Sequence, residues 1–329
     1  MKFLVTGATG FIGPYLVKEL TRRGHACRCL VRDIEKAVPM LPENLVELVQ
    51  TDIRETHRLA GIADGMDGVF HLATMGHAYH YNVPDQDFFD INVQGTENIA
   101  REALTSNVKR FVHCSSVAAM GVCKETPADE NTLCRPVHPY GISKLAAEKK
   151  IMELIQTRNL PASIIRFSMV YGPGDWRDML KLVRLYKKGL YPKVGNRPKL
   201  TPLIHVTDAV NGLIQAYEKG RIGQLYFLTN ETPEKFDDIR QYIAQGLNMK
   251  RPVLYVPEWM ALTGAGMIET LFKMIGKVPP VTRNNIRSTL ADRVFSVEKS
   301  IRDLEFATHV PAKQGIVETV KWYKEKGWV

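Results

Sequence analysis

Several signals are missing from this 329-residue chain, and each absence narrows what it does. No stretch of about 18 residues is uninterruptedly apolar, which argues against a membrane-spanning helix. The most apolar segment, "VPEWMALTGAGMIETLFKMIG", is broken by Glu258, Glu269 and Lys273. It reads as a covering helix, with contact at a membrane surface as the lesser alternative and no stable insertion. The N-terminus carries no cleavable leader pattern and opens at once on the strand-like "KFLVTG". Cysteine is scarce: the five (Cys27, Cys29, Cys114, Cys123, Cys134) are odd in number and form no CxxC pair. That argues for reduced thiols in a cytoplasmic protein, and against a disulfide frame or a zinc site. Cys27 and Cys29 alternate in an expected strand and should simply pack. No repeat or low-complexity segment is visible.

Acidic residues are missing from one region. Between Lys181 and Lys199 lie Lys181, Arg184, Lys187, Lys188, Lys193, Arg197 and Lys199 with no carboxylate, in a chain of net charge +9. A nucleic-acid surface would look like this. However, Met179, Leu182, Val183 and Tyr186 form an apolar stripe with Lys181, Arg184 and Lys188 opposite, so a solvated helix face is the better account. No nucleic-acid partner is expected, and a phosphorylated small substrate is the ligand such a patch would suit if it bound one.

What is present is an alternation of short apolar strands and longer helical patterns. "KFLVTG" is followed by a helix through Leu20. "ACRCLV", "NLVELVQTD" and "GVFHLA" come next, then a helical stretch from Asp87 to Leu104, "RFVHCSS", a helix starting near Tyr140, and "ASIIRF". This rhythm predicts an α/β fold: a doubly wound parallel sheet of the Rossmann type, with its ligand at the strands' C-terminal edge. The dinucleotide-binding domain is expected over residues 1–170, with 203–230, including "QLYFLTN", returning to it. A smaller, discontinuous substrate-covering domain is expected over 171–202 and 231–329.

"TGATGFIG" places Gly7, Gly10 and Gly13 between the first strand and the first helix. Glycines there allow a tight turn, close approach of backbone to a pyrophosphate and tight helix–strand packing. A glycine pattern in that position, after a strand and opening a helix, is a strong dinucleotide signal.

With these residues the chain resembles the extended short-chain dehydrogenase/reductase family, nearest to its 3β-hydroxysteroid dehydrogenase and dihydroflavonol reductase branch. The markers are "TGATGFIG", "TDI" (Thr51 to Ile53), "HLA" (His71 to Ala73), "NVQGT" (Asn92 to Thr96), "SSV" (Ser115 to Val117), "YGISK" and "RFSMVYGPG". The resemblance covers roughly residues 1–170 well and the remainder loosely. It implies a nucleotide cradled by Gly7, Thr9, Gly10, Phe11, Ile12 and Gly13, with Asp52 and Ile53 at the adenine. Leu72, Ala73 and Thr74 would lie along it, Asn92 would order the site, and Phe167 and Met169 would reach the nicotinamide amide. It also implies a homodimer through the helices beginning at Asp87 and at Tyr140.

The end of the second strand, "CRCLVRD", bears on which nicotinamide cofactor is used. An acid there accepts bonds from a ribose 2′-hydroxyl, whereas an arginine accommodates a 2′-phosphate. Val31 stands where NAD-using members place the acid, and Arg32 follows, so NADP(H) is favoured over NAD(H). Asp33 lies near the spacing of an NAD-selecting acid, about 20 residues past the glycines, and keeps the alternative open.

The resemblance makes Ser116, Tyr140 and Lys144 the catalytic trio. Hydride transfer at a carbinol or carbonyl carbon requires a proton to move at the oxygen. A tyrosine of ordinary pKa near 10 is a poor base at neutral pH. A lysine one turn along the helix, with the positive charge of an oxidised nicotinamide, favours the phenolate. Lowering that pKa by roughly three units corresponds to about 4 kcal/mol. Ser116 would orient the substrate oxygen, and Lys144 would also hold the ribose hydroxyls.

Weaker candidates remain. "GHAYHYN" brings His77 and His80 together with Tyr79 and Tyr81 but supplies no third metal ligand, so no metal is expected and His77 is a candidate pocket wall. His205, in "LIHVTDAV", should be structural. An intact Tyr and Lys argue against a non-catalytic sensor. Val117 and Ala118 stand where a 4,6-dehydratase would place acids. Met169, Thr201 and Met120 stand where sugar-nucleotide epimerases place polar contacts. An apolar pocket around Met120, Met169 and Trp176 would suit an apolar alcohol or ketone, although each of the three taken alone reads more readily as ordinary core. The expected function is therefore an NAD(P)-dependent dehydrogenase/reductase acting on such a substrate, with an NDP-sugar 4-epimerase holding NAD tightly as the alternative.

Overall fold

The computed structural model describes every residue except 77–83, 124, 251, 253, 276–278 and 280, and the side chains of 284, 285, 288 and 289. The N-terminal part runs β1 (Lys2–Thr6), α1 (Ile12–Arg22), β2 (Ala26–Val31), α2 (Ile34–Ala37), β3 (Val46–Gln50), β4 (Gly68–His71) and α3 (Asp85–Phe89). It continues with α4 (Gly95–Thr105), β5 (Arg110–Ser116), α5 (Pro139–Arg158), β6 (Ala162–Phe167), β7 (Met169–Tyr171) and α6 (Asp178–Lys187). Next come β8 (Lys193–Val194), β9 (Leu200–Thr201), β10 (Leu203–His205), α7 (Val206–Lys219), β11 (Leu225–Leu228), β12 (Glu234–Lys235) and α8 (Phe236–Leu247). The chain closes with β13 (Tyr255–Val256), α9 (Glu258–Met274), α10 (Arg283–Leu290), α11 (Glu298–Leu304) and α12 (Ala312–Glu325).

Seven strands form one parallel sheet in the order β11-β6-β5-β4-β1-β2-β3. The strand order reverses between β1 and β4, which opens a crevice at their C-terminal ends. β4 and β6 are buried along their whole length, as befits strands covered on both faces. One apolar layer sits under α1 and α7 and gathers Leu16, Val17, Phe70, Ile165 and Leu213. The opposite layer sits under α4 and α5, with Leu4, Val69, Ile99, Phe111 and Ile151. Cys27 and Cys29 are buried in the first layer.

The helical stretch expected from Asp87 is continuous from Asp85 to Thr105, but Asp90–Gln94 within it is a π-helical turn. Nothing in the amphipathic pattern announced that turn. Such turns insert one extra residue and commonly serve a site. Here it carries Asn92.

A third apolar cluster joins α6, α8 and α12 around Met179, Val183, Ile243 and Tyr323. Lys181, Arg184 and Lys188 face away from it and are exposed. Among the described residues no helix is long and apolar enough to cross a membrane.

Candidate functional site

The glycine turn is built by crowding. Gly7 has φ +71°, and a Cβ on it would lie 2.7 Å from the Ala73 nitrogen and the Leu72 carbonyl carbon. The loops after β1 and β4 therefore touch across the crevice, backbone to backbone. A Cβ on Gly13 would lie 2.3 Å from the Gly7 oxygen, which only glycine permits. Gly10 closes the turn with an N–H to the Gly7 oxygen at 2.9 Å. Phe11 precedes α1 and supplies no side-chain cap, so the N–H groups of the first turn at Ile12 and Gly13 are open to an anion. Thr9 and Gly10 stand partly exposed at the same edge. This cradle fits a dinucleotide's pyrophosphate.

The flanks of the cradle are ordered by polar contacts. Asp52 accepts from the backbone N–H of Arg54 at 3.0 Å and from its guanidinium at 3.0 and 2.8 Å. Those bonds, with the nearby charge of Arg32, hold the carboxyl below its usual range. Ile53 tucks its side chain against Gly95, and its carbonyl accepts from Asn98. Arg32 is exposed at the end of β2. Asp33 turns away from that position: its carboxylate caps α2, accepting from the Lys36 N–H at 3.2 Å.

Asn92 is fully buried and uses its whole amide. Its oxygen accepts from the Thr74 hydroxyl at 2.9 Å and the Met75 N–H at 2.7 Å. Its NH₂ donates to the Met75 carbonyl and, at 2.9 Å, to the Ser143 hydroxyl. Ser143 in turn donates to the Tyr140 carbonyl. One side chain thus ties the loop after β4 to the start of α5.

Helix α5 begins where it does because Pro139 fits the first helical position and His138 caps the Tyr140 N–H through Nδ1 at 3.2 Å. Tyr140 therefore stands in the first turn, at the sheet's C-terminal edge. A Cβ on Gly141 would lie 2.5 Å from the Ala118 carbonyl oxygen, so this glycine lets α5 press onto the turn after Ser116. Ser116 caps that turn, accepting from the Ala118 N–H at 3.1 Å. It also faces the Tyr140 phenol closely enough to lower its pKa.

Burial raises the Tyr140 pKa above its ordinary value, while Ser116 and the Arg177 charge pull it down and Asp178 adds a small push upward. Lys144 is buried, and its ammonium donates to the Cys114 carbonyl at 2.6 Å. Burial lowers its pKa to about 8, opposed by Cys114 and Glu148. Arg177, which the sequence did not single out, is a further cation whose charge reaches Tyr140.

Arg177 stacks over Phe11, 5.0 Å from the ring centre, and its Nε donates to the buried Asp175 at 3.1 Å. Trp176 also meets Phe11, edge-on at 6.3 Å, and is partly exposed beside the glycine turn. "DWRD", directly after "VYGPG", was the available signal.

Phe167 ends β6 and is buried; Met169 opens β7 and packs towards the α6/α8/α12 cluster. Met120 corrects an expectation. It is fully buried beside Arg166, Cys134, Phe227 and Phe295, so it packs in the core and does not line the cleft. The 3₁₀ turn Val117–Met120 that follows Ser116 seats its side chain in that cluster. His77, with the rest of the "HAYHYN" loop, lies outside the described residues. His205 caps α7, accepting from Thr207. Among the described residues no cluster of His, Cys, Asp or Glu is placed to hold a metal ion.

A doubly wound parallel sheet with a glycine cradle at its switch point places the chain among the dinucleotide-binding α/β enzymes. It belongs to the NAD dependent epimerase/dehydratase family, whose model matches residues 3–228, and is an oxidoreductase of the extended short-chain dehydrogenase/reductase type. It is 26% identical to the 3beta-hydroxysteroid-dehydrogenase/decarboxylase isoform 1 of Arabidopsis thaliana, over 96% of this chain and 78% of that protein. It is 27% identical to a putative dihydroflavonol 4-reductase of Synechocystis sp., over 99% of this chain and 96% of that one. Among solved structures, UDP-glucuronic acid 4-epimerase from Bacillus cereus in complex with NAD superposes with a TM-score of 0.79 at 19% identity, covering 99% of each chain. That last likeness is one of fold.

Proposed function

We propose that this enzyme moves hydride between a nicotinamide dinucleotide and the secondary alcohol or ketone of an apolar small molecule, with Tyr140 as the acid/base. The observation that carries the reading is the gathering of Ser116, at the end of β5, with Tyr140 in the first turn of α5 and Lys144, whose ammonium donates to the Cys114 carbonyl of β5. When bound, the nicotinamide supplies or accepts the hydride. Ser116 orients the substrate oxygen, and Tyr140 delivers or removes the proton there. A phenol held above its usual pKa keeps its proton at neutral pH, which suits donation to a carbonyl oxygen. Arg177 counters that shift and eases the reverse step. Lys144 would hold the ribose hydroxyls, and Asn92, through Ser143, keeps the loop at Thr74 in register with α5.

NADP(H) is the preferred cofactor in this reading. Arg32 is exposed at the end of β2, where its charge would suit a 2′-phosphate, and the carboxylate of Asp33 caps α2. Support for an apolar substrate comes from the steroid and flavonoid enzymes among the relatives. It also comes from Met169 and Thr201, which stand where sugar-nucleotide epimerases often carry an asparagine and an arginine.

The test is to denature freshly purified protein and identify any released nucleotide by chromatography with mass detection. An enzyme that exchanges its cofactor each turnover is expected to come empty or with NADP(H). Stoichiometric, tightly held NAD would instead mark an enzyme that regenerates its own cofactor, such as an epimerase, and would overturn the proposal.

A further inference from the structure

Helix α9 faces the wrong way for an element that only covers a core. Its buried residues are Ala265 and Gly266 alone. Trp259, Met267, Leu271 and Met274 are 67, 69, 57 and 80% exposed. At about 100° per residue, they share one arc of roughly 180° with Met260, Ile268 and Ile275. The other positions on that arc are Thr263, Gly264 and Thr270, so it contains no charge. The helix's charged residues lie on the remaining flank. Glu258 pairs with Lys199 at 3.3 Å, and Glu269 pairs with Lys273 at 3.7 Å. A surface helix normally shows its charges to water and its apolar stripe to the core. Here that order is inverted, and a contiguous apolar face of this kind marks an interaction surface rather than the scattered exposure common to all proteins.

The border of the face decides what covers it. Lys273 sits in the last turn of α9, and Arg283 and Arg287 are exposed on α10, which packs alongside. Arg283 lies across the flank of α9, so close that a Cβ on Gly266 would fall 2.2 Å from its Nε. At the other end β8 pairs with β13, which leads into α9 and brings exposed Arg197 to that side. The segment Arg283–Leu290 holds no acid, and the chain's net charge is +9. Joining two copies through this face would set like charges against each other. A lipid surface with anionic headgroups meets the same border with opposite charge and accepts the apolar arc at its acyl boundary.

We propose that α9 is a peripheral membrane-docking helix, lying flat on an anionic bilayer. Met267, Leu271 and Met274 enter the acyl boundary, Trp259 sits at the headgroup level, and Arg197, Lys273, Arg283 and Arg287 contact the headgroups. Docking is independent of the substrate reading and would hold for a sugar-nucleotide enzyme as well.

The full chain is sedimented with vesicles of phosphatidylcholine and phosphatidylglycerol (3:1), and with phosphatidylcholine alone. The M267E/L271E double variant and Met274→Glu are run beside it, each first checked for an unchanged melting temperature. These positions are exposed, so folding should be preserved. Wild type is expected to partition about tenfold more strongly onto the anionic vesicles. Binding should weaken in 0.5 M salt and be lost in the double variant. Absence of binding to anionic vesicles overturns the proposal. So does equal binding by the double variant, which would assign adsorption to charge alone. A wild-type dimer in light scattering that becomes monomeric in the double variant would assign the face to a second copy instead.

Discussion

The buried ion pair between Arg166 and Glu148 makes a sharp test of how the catalytic helix is held. Arg166, on β6, donates to Glu148, on α5, at 2.9 Å through Nε and 2.6 Å through the terminal nitrogen. Both side chains are 4% exposed. Glu148 also accepts from the Ser115 hydroxyl, next to Ser116, so one carboxylate joins the strands to the helix bearing Tyr140 and Lys144. Replacing Arg166 with Met leaves a buried carboxylate without its cation, which costs about 3–5 kcal/mol. With an unfolding entropy of about 2.1 cal/mol/K per residue, a chain of 329 residues should melt roughly 4–7 °C lower. Adding Glu148→Gln removes the orphaned charge and keeps an acceptor for Ser115, so R166M/E148Q should recover at least half of that loss. Melting is followed by circular dichroism at neutral pH. A single variant that melts within about 1 °C of wild type, or a double variant no better than the single, would refute the reasoning.

Acid should weaken the fold through two histidines in the middle of the sheet. His71 and His113 stack at 5.6 Å, His71 is bonded to Thr6 and Thr96, and among the described residues neither nitrogen of His113 has a hydrogen-bond partner. Burial lowers the pKa of His71 to about 3 and that of His113 well below its usual value, with the Lys144 charge adding to both. The unfolded chain takes up these protons near pH 6.5 and the folded chain does not. Stability is therefore complete above that pH and falls as pH drops, by about 1.4 kcal/mol per pH unit for each histidine. Urea unfolding of His113→Leu at a series of pH values should show about half this histidine slope; an unchanged slope would contradict it.

Tyr140→Phe should lower kcat by roughly 10²–10⁴ while nucleotide affinity, read by fluorescence titration, stays within about threefold; near-normal turnover would remove Tyr140 from the chemistry. Arg32→Ser should weaken NADP(H) by roughly 10–100-fold, the worth of a charge-assisted hydrogen bond, and leave NAD(H) nearly unchanged. Equal losses for both cofactors would show that Arg32 does not select between them.

The parallel sheet and its glycine turn were legible in the sequence because they rest on local rules. Alternating apolar runs and helical periodicities report which faces are buried, and Gly7 and Gly13 stand where no Cβ fits. Tyr140 and Lys144, one turn apart behind a proline, needed only helix geometry to share a face.

Contacts between segments distant in the chain were decided by the tertiary structure. Met120 looks like a pocket residue in "SSVAAMG", yet the turn after Ser116 packs it against Arg166 on β6. Arg177 is one basic residue among many until the loop after β7 folds it onto Phe11 and towards Tyr140. The sequence of α9 shows an apolar helix with a few charges, and an amphipathic pattern does not say which face is turned outward. Packing sets that direction, because it depends on what the rest of the chain leaves to cover.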